Sequence, residues 1–389
     1  MASAAAGPLE LPQFKGRPGW EFTDLSGLEL GAYEPVRTHD GAAASAAEPL
    51  FRLDRTAALP DGVIVTTIDK AAREHGELLR RYLGSIVTAD DVFTMLNDAA
   101  DYRSGSFVYV PGGVTVREPI SLRAVQQQTG TLLHERTLIV VEEGAQAQVW
   151  EQYLSASEDL DGVFNVVTEL VVGDNAHLRY VCGQGLSERS WIFGAQRAEV
   201  GRDGSLDWVA LGFGSARGRV RMETRLGGPG ADARVTGAYA SHARQHIDFD
   251  TTQEHAAPNT TSDLAFRGVL SGRSSAVWKG NIIVDPGAQK TDAYQESRNL
   301  LLSKRAHADA IPGLEIQAND VRCTHAAAVA QVDPEQLFYL RSHGLGEEIA
   351  KRLVIEGFLA ALVERFEEGP VRDALGTTLE RRLSLILGE

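Results

Sequence analysis

Cysteine is scarce: only Cys182 and Cys323 occur in 389 residues. Two thiols build no disulfide framework, and neither belongs to a Cys-x-x-Cys pair of the zinc or thioredoxin kind. Positive charge is also in short supply. The 38 Lys and Arg against 53 Asp and Glu leave a formal net charge of −15, a field that repels phosphate and argues against nucleic acid or an anionic membrane as partner. No stretch approaches the roughly eighteen uninterrupted apolar residues of a membrane-crossing helix, and Met1 to Glu10 lacks the basic-then-apolar order of a secretory leader. The expectation is a soluble, cytoplasmic chain. Several chemistries have no signature: there is no Gly-x-x-x-x-Gly-Lys-Ser/Thr loop, no Gly-x-Gly-x-x-Gly after a strand, no Gly-x-Ser-x-Gly elbow and no His-Glu-x-x-His. If ATP drives the work of this protein, another chain hydrolyses it. No flavin site is legible either.

What is present divides the chain into three textures. Residues 1–105 read as a mixed α/β cap, with a small-residue run from Gly41 to Ala47, a β-type segment from Gly62 to Ile68, and helices around Lys70 to Leu83 and Ala89 to Ala100. Residues 106–332 are short runs of Val, Thr, Leu and aromatics separated by Gly, Asp, Asn and Pro, which is strand-and-turn texture. Within them a turn followed by an alternating strand recurs at intervals of about thirty residues, starting at Gly144, Asp174, Asp203 and Gly230. Units of that length, each with two or more short strands, bury their faces by stacking, so a β-helix is the expected core and an irregular sandwich the alternative. Residues 333–389 switch to helical spacing. Asp333 is a good N-cap with Pro334 in the first turn, Leu337, Leu340, Ile349, Leu353, Phe358, Leu359 and Leu362 follow, and Gly344, Gly346 and Gly357 break or flex the run. A second helix from Val371 to Leu387 carries Leu375, Leu379, Leu383 and Ile386 on one face. The fold class is mainly β, with a small helical domain at the C-terminal end.

Two constellations carry possible chemistry. In a strand, residues two apart share a face, so Cys323-Thr324-His325 would let a thiolate and an imidazole converge on a soft metal such as iron. The plainer reading is a cysteine packed as a small hydrophobe beside a hydrogen-bonded histidine. His242, His246 and His255, with Asp248, Asp250 and Glu254, surround an alternating segment that could supply a mononuclear metal site. Alternation puts His242, His246, Asp248 and Asp250 on one face, more simply a solvated strand surface or a subunit contact. Cys182 reads as core.

Ordered motifs then point to a family. Thr260-Thr261-Ser262 through Arg267-Gly268-Val269, Gln295-Glu296-Ser297-Arg298-Asn299-Leu300-Leu301-Leu302-Ser303, Pro312-Gly313-Leu314-Glu315-Ile316, Asp320-Val321-Arg322-Cys323-Thr324-His325-Ala326-Ala327 and Gln336 through Leu345 resemble, in order and spacing, the core signature of the SufB/SufD family of iron–sulfur cluster assembly scaffolds. Trp20-Glu21-Phe22-Thr23-Asp24-Leu25 resembles its aromatic-rich N-terminal motif. The resemblance implies a right-handed parallel β-helix core and a C-terminal helical domain that docks a SufC-like ABC ATPase, in a complex of SufB and SufD side by side with one SufC on each. Residues of that helical region expected to meet the ATPase are Leu337, Phe338, Tyr339, Ile349, Leu353 and Phe358.

A SufB would carry a cysteine within the segment aligned with Glu315 to Ala318 and a glutamate after the histidine matching His325; here Ile316, Gln317 and Ala326 stand there, which favours the SufD side. The resemblance thus implies a non-catalytic subunit in which His325, with Cys323 as a second candidate, helps hold a nascent iron–sulfur cluster shared with a SufB-like paralogue. Two other readings compete: a homomeric SufB-like scaffold, and a β-helix enzyme acting on polysaccharide through Asp248, Asp250 and Glu254.

Overall fold

The computed structural model describes residues 11–12, 19–36, 49–51, 58–100 and 105–387; the run Gly41 to Ala47 lies outside the described residues. Among the described residues, two short strands, β1 (Glu34–Pro35) and β2 (Ile64–Thr67), and three short α-helices, α1 (Ile68–Glu74), α2 (Gly76–Tyr82) and α3 (Val92–Asp98), precede the repetitive region. The single helix expected over 70–83 is two, broken at His75, which closes the first and is followed by Gly76.

From Ser106 the chain alternates between two sheets. One takes β3 (Ser106–Val110), β5 (Thr131–Val141), β7 (Gly162–Val172), β9 (Trp191–Val200), β11 (Arg217–Leu226), β13 (His246–His255), β15 (Ser275–Val284) and β17 (His307–Ile316). The other takes β4 (Ile120–Gln126), β6 (Gln146–Ser155), β8 (His177–Gly185), β10 (Ser205–Gly212), β12 (Asp232–Ser241), β14 (Thr261–Leu270), β16 (Asp292–Leu301) and β18 (Arg322–Gln331). Strands two apart in sequence pair in parallel. The result is a β-solenoid of about 8 turns between a 10-stranded and an 8-stranded sheet, the first extended by β2 antiparallel to β3 and by β1 beside β5. The β-helix expectation holds, and the sandwich alternative is overturned by the parallel pairing of successive repeats.

The repeat seen in sequence is a column of left-handed turns. Gly144, Asn175, Asp203, Gly230, Asn259 and Lys290 all have positive φ and stand just before β6, β8, β10, β12, β14 and β16. Each donates its backbone N–H to a carbonyl of the next turn: Gly144 to Asp174 at 2.9 Å, Asn175 to Arg202 at 2.8 Å, Asp203 to Pro229 at 3.0 Å, Gly230 to Pro258 at 3.2 Å, Asn259 to Gln289 at 2.9 Å and Lys290 to Asp320 at 2.6 Å. Gly and Asn or Asp dominate because they tolerate this conformation best. Close stacking also demands glycine at Gly228, where a Cβ would collide with the backbone of Arg202.

Inside, residues alternate inward from both sheets and pile aromatic on aromatic: Tyr180 on Trp208, Tyr239 on Phe249, Phe249 on Phe266 and Phe266 on Trp278, with centroids 5.4–6.3 Å apart. Such offset and tilted pairs add to the burial that drives stacking. The outer face of the 10-stranded sheet is covered by the N-terminal elements. Trp20 packs with Phe93 of α3 and with Phe193, and Phe93 stacks on Phe193. A buried ion pair fastens the cover: Arg136 Nη2 lies 2.8 Å from Glu169 Oε2, and Glu169 also accepts the backbone N–H groups of Gly84, Ile86 and Val87.

Three helices close the chain: α4 (Pro334–Ser342), α5 (Glu347–Val363) and α6 (Pro370–Leu387). Asp333 caps α4 by accepting from Glu335 N at 2.9 Å. Gly344 at φ +90° ends it and Gly346 opens α5, whereas Gly357 sits inside α5 without interrupting it. Ile355, Leu359 and Leu362 of α5 and Leu375, Leu379 and Leu383 of α6 are buried against Trp150, Val181, Val209, Ala238 and Ala265 on the outer face of the 8-stranded sheet. That face is apolar because helices cover it, as parallel sheets require. Leu362→Ala removes a fully buried side chain and should lower unfolding stability by about 2–5 kcal/mol. Leu353→Ala, on an exposed position of the same helix, should change it by about 0.5 kcal/mol or less. Equal urea midpoints for the two variants would mean that α5 does not dock on the sheet in solution.

Candidate functional site

The solenoid ends on β17 and β18. Among the described residues each is the last strand of its sheet, pairing on one side and leaving the backbone N–H and C=O groups of its other edge without a strand partner. Ile311 and Ile316 on β17 and Val329 on β18 are exposed apolar side chains. Unprotected edge strands of this length, bearing apolar residues, are templates for pairing with another chain.

Cys323 and His325 lie on this last rung. In register, Cys323 stands beside Ala293 and His325 beside Gln295, both buried inward-facing residues of β16. The two side chains therefore share the inward side of β18, at the mouth of the solenoid. Cys323 is half-buried among Ile282, Val284, Ala288, Ala293 and Ala318, and burial, aided by the Asp292 carboxylate, pushes its thiol above the ordinary value. His325 is exposed. The neighbouring Gln295 spends its amide nitrogen on the carbonyls of Gly280 and Gly313, leaving a buried Oε1 with no partner. Among the described residues no group of three or more His, Cys, Asp or Glu converges as a metal site, so the last rung offers two soft ligands at an open surface.

The second constellation disperses. His246, Asp248 and Asp250 do share the outward face of β13, but they lie under the N-terminal segment. Thr23 donates to Asp248 at 2.6 Å, Arg219 lies 2.5 Å from Asp250 and 3.7 Å from Asp248, and the Arg219 guanidinium stacks over Trp20. Burial raises Asp248 to about 6 despite Arg219. Glu254 is held by Arg225 and Arg197. His242 sits apart in the turn before β13, 3.1 Å from Glu188. His255 faces inward, between the hydroxyls of Thr260 at 2.8 Å and Ser262 at 2.9 Å. The three carboxylates of the enzyme reading are thus held by arginines, and the histidines by different neighbours.

The helical residues divide likewise. Phe338 and Tyr339 of α4 are 74% and 63% exposed, Ile349 and Leu353 of α5 are 55% and 44% exposed, and Leu337 is half-buried. Phe358 turns toward the chain's own sheet and lies under the Arg267 guanidinium.

One cluster has no motif. Within the solenoid, Glu151 Oε1 accepts from Thr137 at 2.5 Å, and its Oε2 accepts from the hydroxyls of Tyr153 and Tyr180. Cys182 lies in register with Glu151, its Sγ 3.8 Å from Gln196 Nε2. Burial raises the Glu151 carboxyl above its usual range against these three donors, and pushes the Cys182 thiol up to about 12. Cys182 is core, as its sequence context indicates, and is held as an inert thiol. The signal for Glu151 is the alternation Ala147-x-Val149-x-Glu151-x-Tyr153, which already puts its side chain among inward residues.

Burial holds His255 near pKa 4, so it stays neutral in the folded chain while the unfolded chain takes up a proton below about 6.5. Its contribution to stability is therefore present above pH 6.5 and lost as pH falls toward 4. Denaturation of the wild type and His255→Gln across that range should show the shallower acid loss in the variant; parallel curves would place the imidazole in water.

Residues 124–358 match the SUF system FeS cluster assembly SufBD core domain, and residues 50–122 match the SufBD protein N-terminal region. The chain is 35% identical, over 83% of its length and 74% of the relative's, to the iron–sulfur cluster assembly protein SufD of Bacillus subtilis. It is 27% identical to an iron–sulfur cluster assembly SufBD family protein of Mycobacterium leprae, covering 94% of this chain and 89% of that one. A SufBD family protein of Synechocystis is 30% identical over 77% of this chain and 64% of its own length. With the family core spanning more than half of the sequence on a solenoid of stacked rungs, this chain belongs to the SufBD family of iron–sulfur cluster assembly proteins.

Proposed function

We propose that the chain is a non-catalytic, SufD-type scaffold subunit. It joins a SufB-like paralogue through the open rung of β17 and β18, and a nascent iron–sulfur cluster is assembled at that junction as cargo. The observation that carries this reading is the placement of Cys323 and His325 on the inward side of a terminal strand that is paired on one edge only. Imidazole and thiolate are suitable soft ligands for iron. Two from one chain leave the cluster's remaining ligands to the partner, which suits a cluster that must be released. His325 is the stronger candidate, because Cys323 is half-buried and its thiol is held up by burial.

The helices of residues 333–389 are the docking element for a SufC-like ABC ATPase, through the exposed face formed by Phe338, Tyr339, Ile349 and Leu353. ATP-driven pairing of two such ATPases would pull on these helices, and because α5 and α6 are packed on the 8-stranded sheet, the pull reaches the strand that carries His325. The setting proposed is the cytoplasm.

Co-expression with SufB-like and SufC-like subunits should give a complex whose native mass fits one copy of this chain, one SufB and two SufC. A chain that pairs with itself and builds a cluster unaided would replace this reading with the homomeric one. His325→Ala should leave the complex assembled while abolishing the visible absorbance of the cluster; loss of the complex instead would make the residue structural. Phe338→Asp with Tyr339→Asp should weaken ATPase binding roughly 30-fold or more, the effect of a hot spot of about 2 kcal/mol. The thermal midpoint of the isolated chain should not move, since both side chains are exposed. Unchanged ATPase affinity would move the docking surface elsewhere.

A further inference from the structure

Between the C-terminal half of α6 and the turns after β6 and β8 lies a groove of about 740 Å³. Its floor is apolar, with Leu50, Leu154, Leu186 and Phe213, and Leu385 stands at its mouth. Arg381 and Arg382 also line it, together with the carboxylates of Glu158 and Glu188.

Arg382 is the unusual residue. Its side chain is 12% exposed, yet every polar contact it makes is long: 3.7 Å to Glu188, 3.5 Å to His242 Nδ1 and 3.5 Å to Gln245 Oε1, all through Nη2. Its Nε is buried and has no partner. Glu188, the nearest carboxylate, is 40% exposed and closer to His242, at 3.1 Å. A guanidinium taken out of water normally recovers the loss through short, often bidentate, contacts to an anion. Here the cation meets one loose carboxylate and two long neutral contacts, and its Nε meets none.

We propose that this groove binds a small organic anion, an apolar body with one acidic headgroup, whose acid meets Arg382 while the body lies along Leu154, Leu186 and Phe213. Glu188 acts as the weak internal competitor, which a bound acid displaces from Arg382. The site lies on the helix-covered side of the solenoid, away from the open rung, and stands independently of the scaffold reading.

The test uses the full chain and 1-anilinonaphthalene-8-sulfonate, an aromatic body with one sulfonate, titrated by fluorescence. Saturable binding at one site per chain is expected. Arg382→Gln should weaken it about 10-fold or more, the loss of one charge-assisted contact, and Glu188→Gln should tighten it several-fold. Inorganic phosphate, which lacks the apolar body, should fail to displace the dye at equal concentration. Unchanged affinity in Glu188→Gln overturns the proposal even if Arg382→Gln unfolds. So does loss of binding in the Phe338→Asp, Tyr339→Asp variant, which would put the dye on the α4 face, or displacement by phosphate alone.

Discussion

Main-chain pairing between successive turns is the constraint on which this molecule is built. Parallel strands cannot be satisfied by a tight hairpin, so each turn of the solenoid passes its open edge to the next one. Every internal turn settles that obligation with its neighbour, both along the strands and in the column of left-handed corners from Gly144 to Lys290. On the last rung two edges remain, β17 and β18, and each unpaired group there forgoes a hydrogen bond worth about 0.5–1.5 kcal/mol net. A long apolar edge left in that state invites association, which is the physical reason to look for this protein's chemistry at its C-terminal rung.

The covering of the two sheets follows from the same geometry. Where the outer face of a sheet is apolar it needs a lid, and elsewhere it carries charge, as in the Arg197, Glu199, Glu223, Arg225 and Glu254 ladder on β9, β11 and β13. The N-terminal elements and the C-terminal helices supply the lids by different physics. The α5 and α6 lid is apolar packing: Ile355, Leu359, Leu362, Leu375 and Leu379 lie on small and branched residues of the sheet. The N-terminal lid is tied by charge, with Glu169 accepting from Arg136 and from three backbone N–H groups at once, and with Arg219 bridging Trp20, Asp248 and Asp250. Breaking one partner of a buried pair such as Arg136–Glu169 leaves the other charge stranded, which makes such a tie specific in position even where its net contribution to stability is small.

The corners of the fold were readable in sequence because they are chemically demanding. Gly144, Asn175, Asp203 and Gly230 announce a period, since few residue types tolerate the left-handed conformation that the stacking requires. The later corners at Asn259 and Lys290 obey the same geometry, but a lysine there carries no turn signal, and the period fades from view. The site was half legible. Two-residue alternation places Cys323 and His325 on one side of a strand, but alternation within a strand is blind to its place in the sheet; that β18 is the last strand depends on the chain turning helical at Pro334 rather than adding another rung. Spacing misled where sequence neighbours part company in space. His242, which alternation puts on one face with His246, sits instead in the corner before β13, while the odd interval from His246 to His255 already puts those two on opposite faces, as found. Glu151 escaped notice because a carboxyl is read as surface unless its partners are known, and those partners, Thr137, Tyr153 and Tyr180, come from three strands.

A solenoid also separates what must be rigid from what must give way. The interior from Tyr153 to Trp278 carries buried aromatics turn after turn, so a displacement imposed on one turn is passed to its neighbours rather than absorbed in loose packing. The last rung differs, because one side of every residue in β17 and β18 faces no further turn. Its side chains are held from one side only. A force delivered through α5 and α6 to the 8-stranded sheet would meet a stiff body everywhere except at that rung. Motion would therefore concentrate at that rung, where His325 and Cys323 stand.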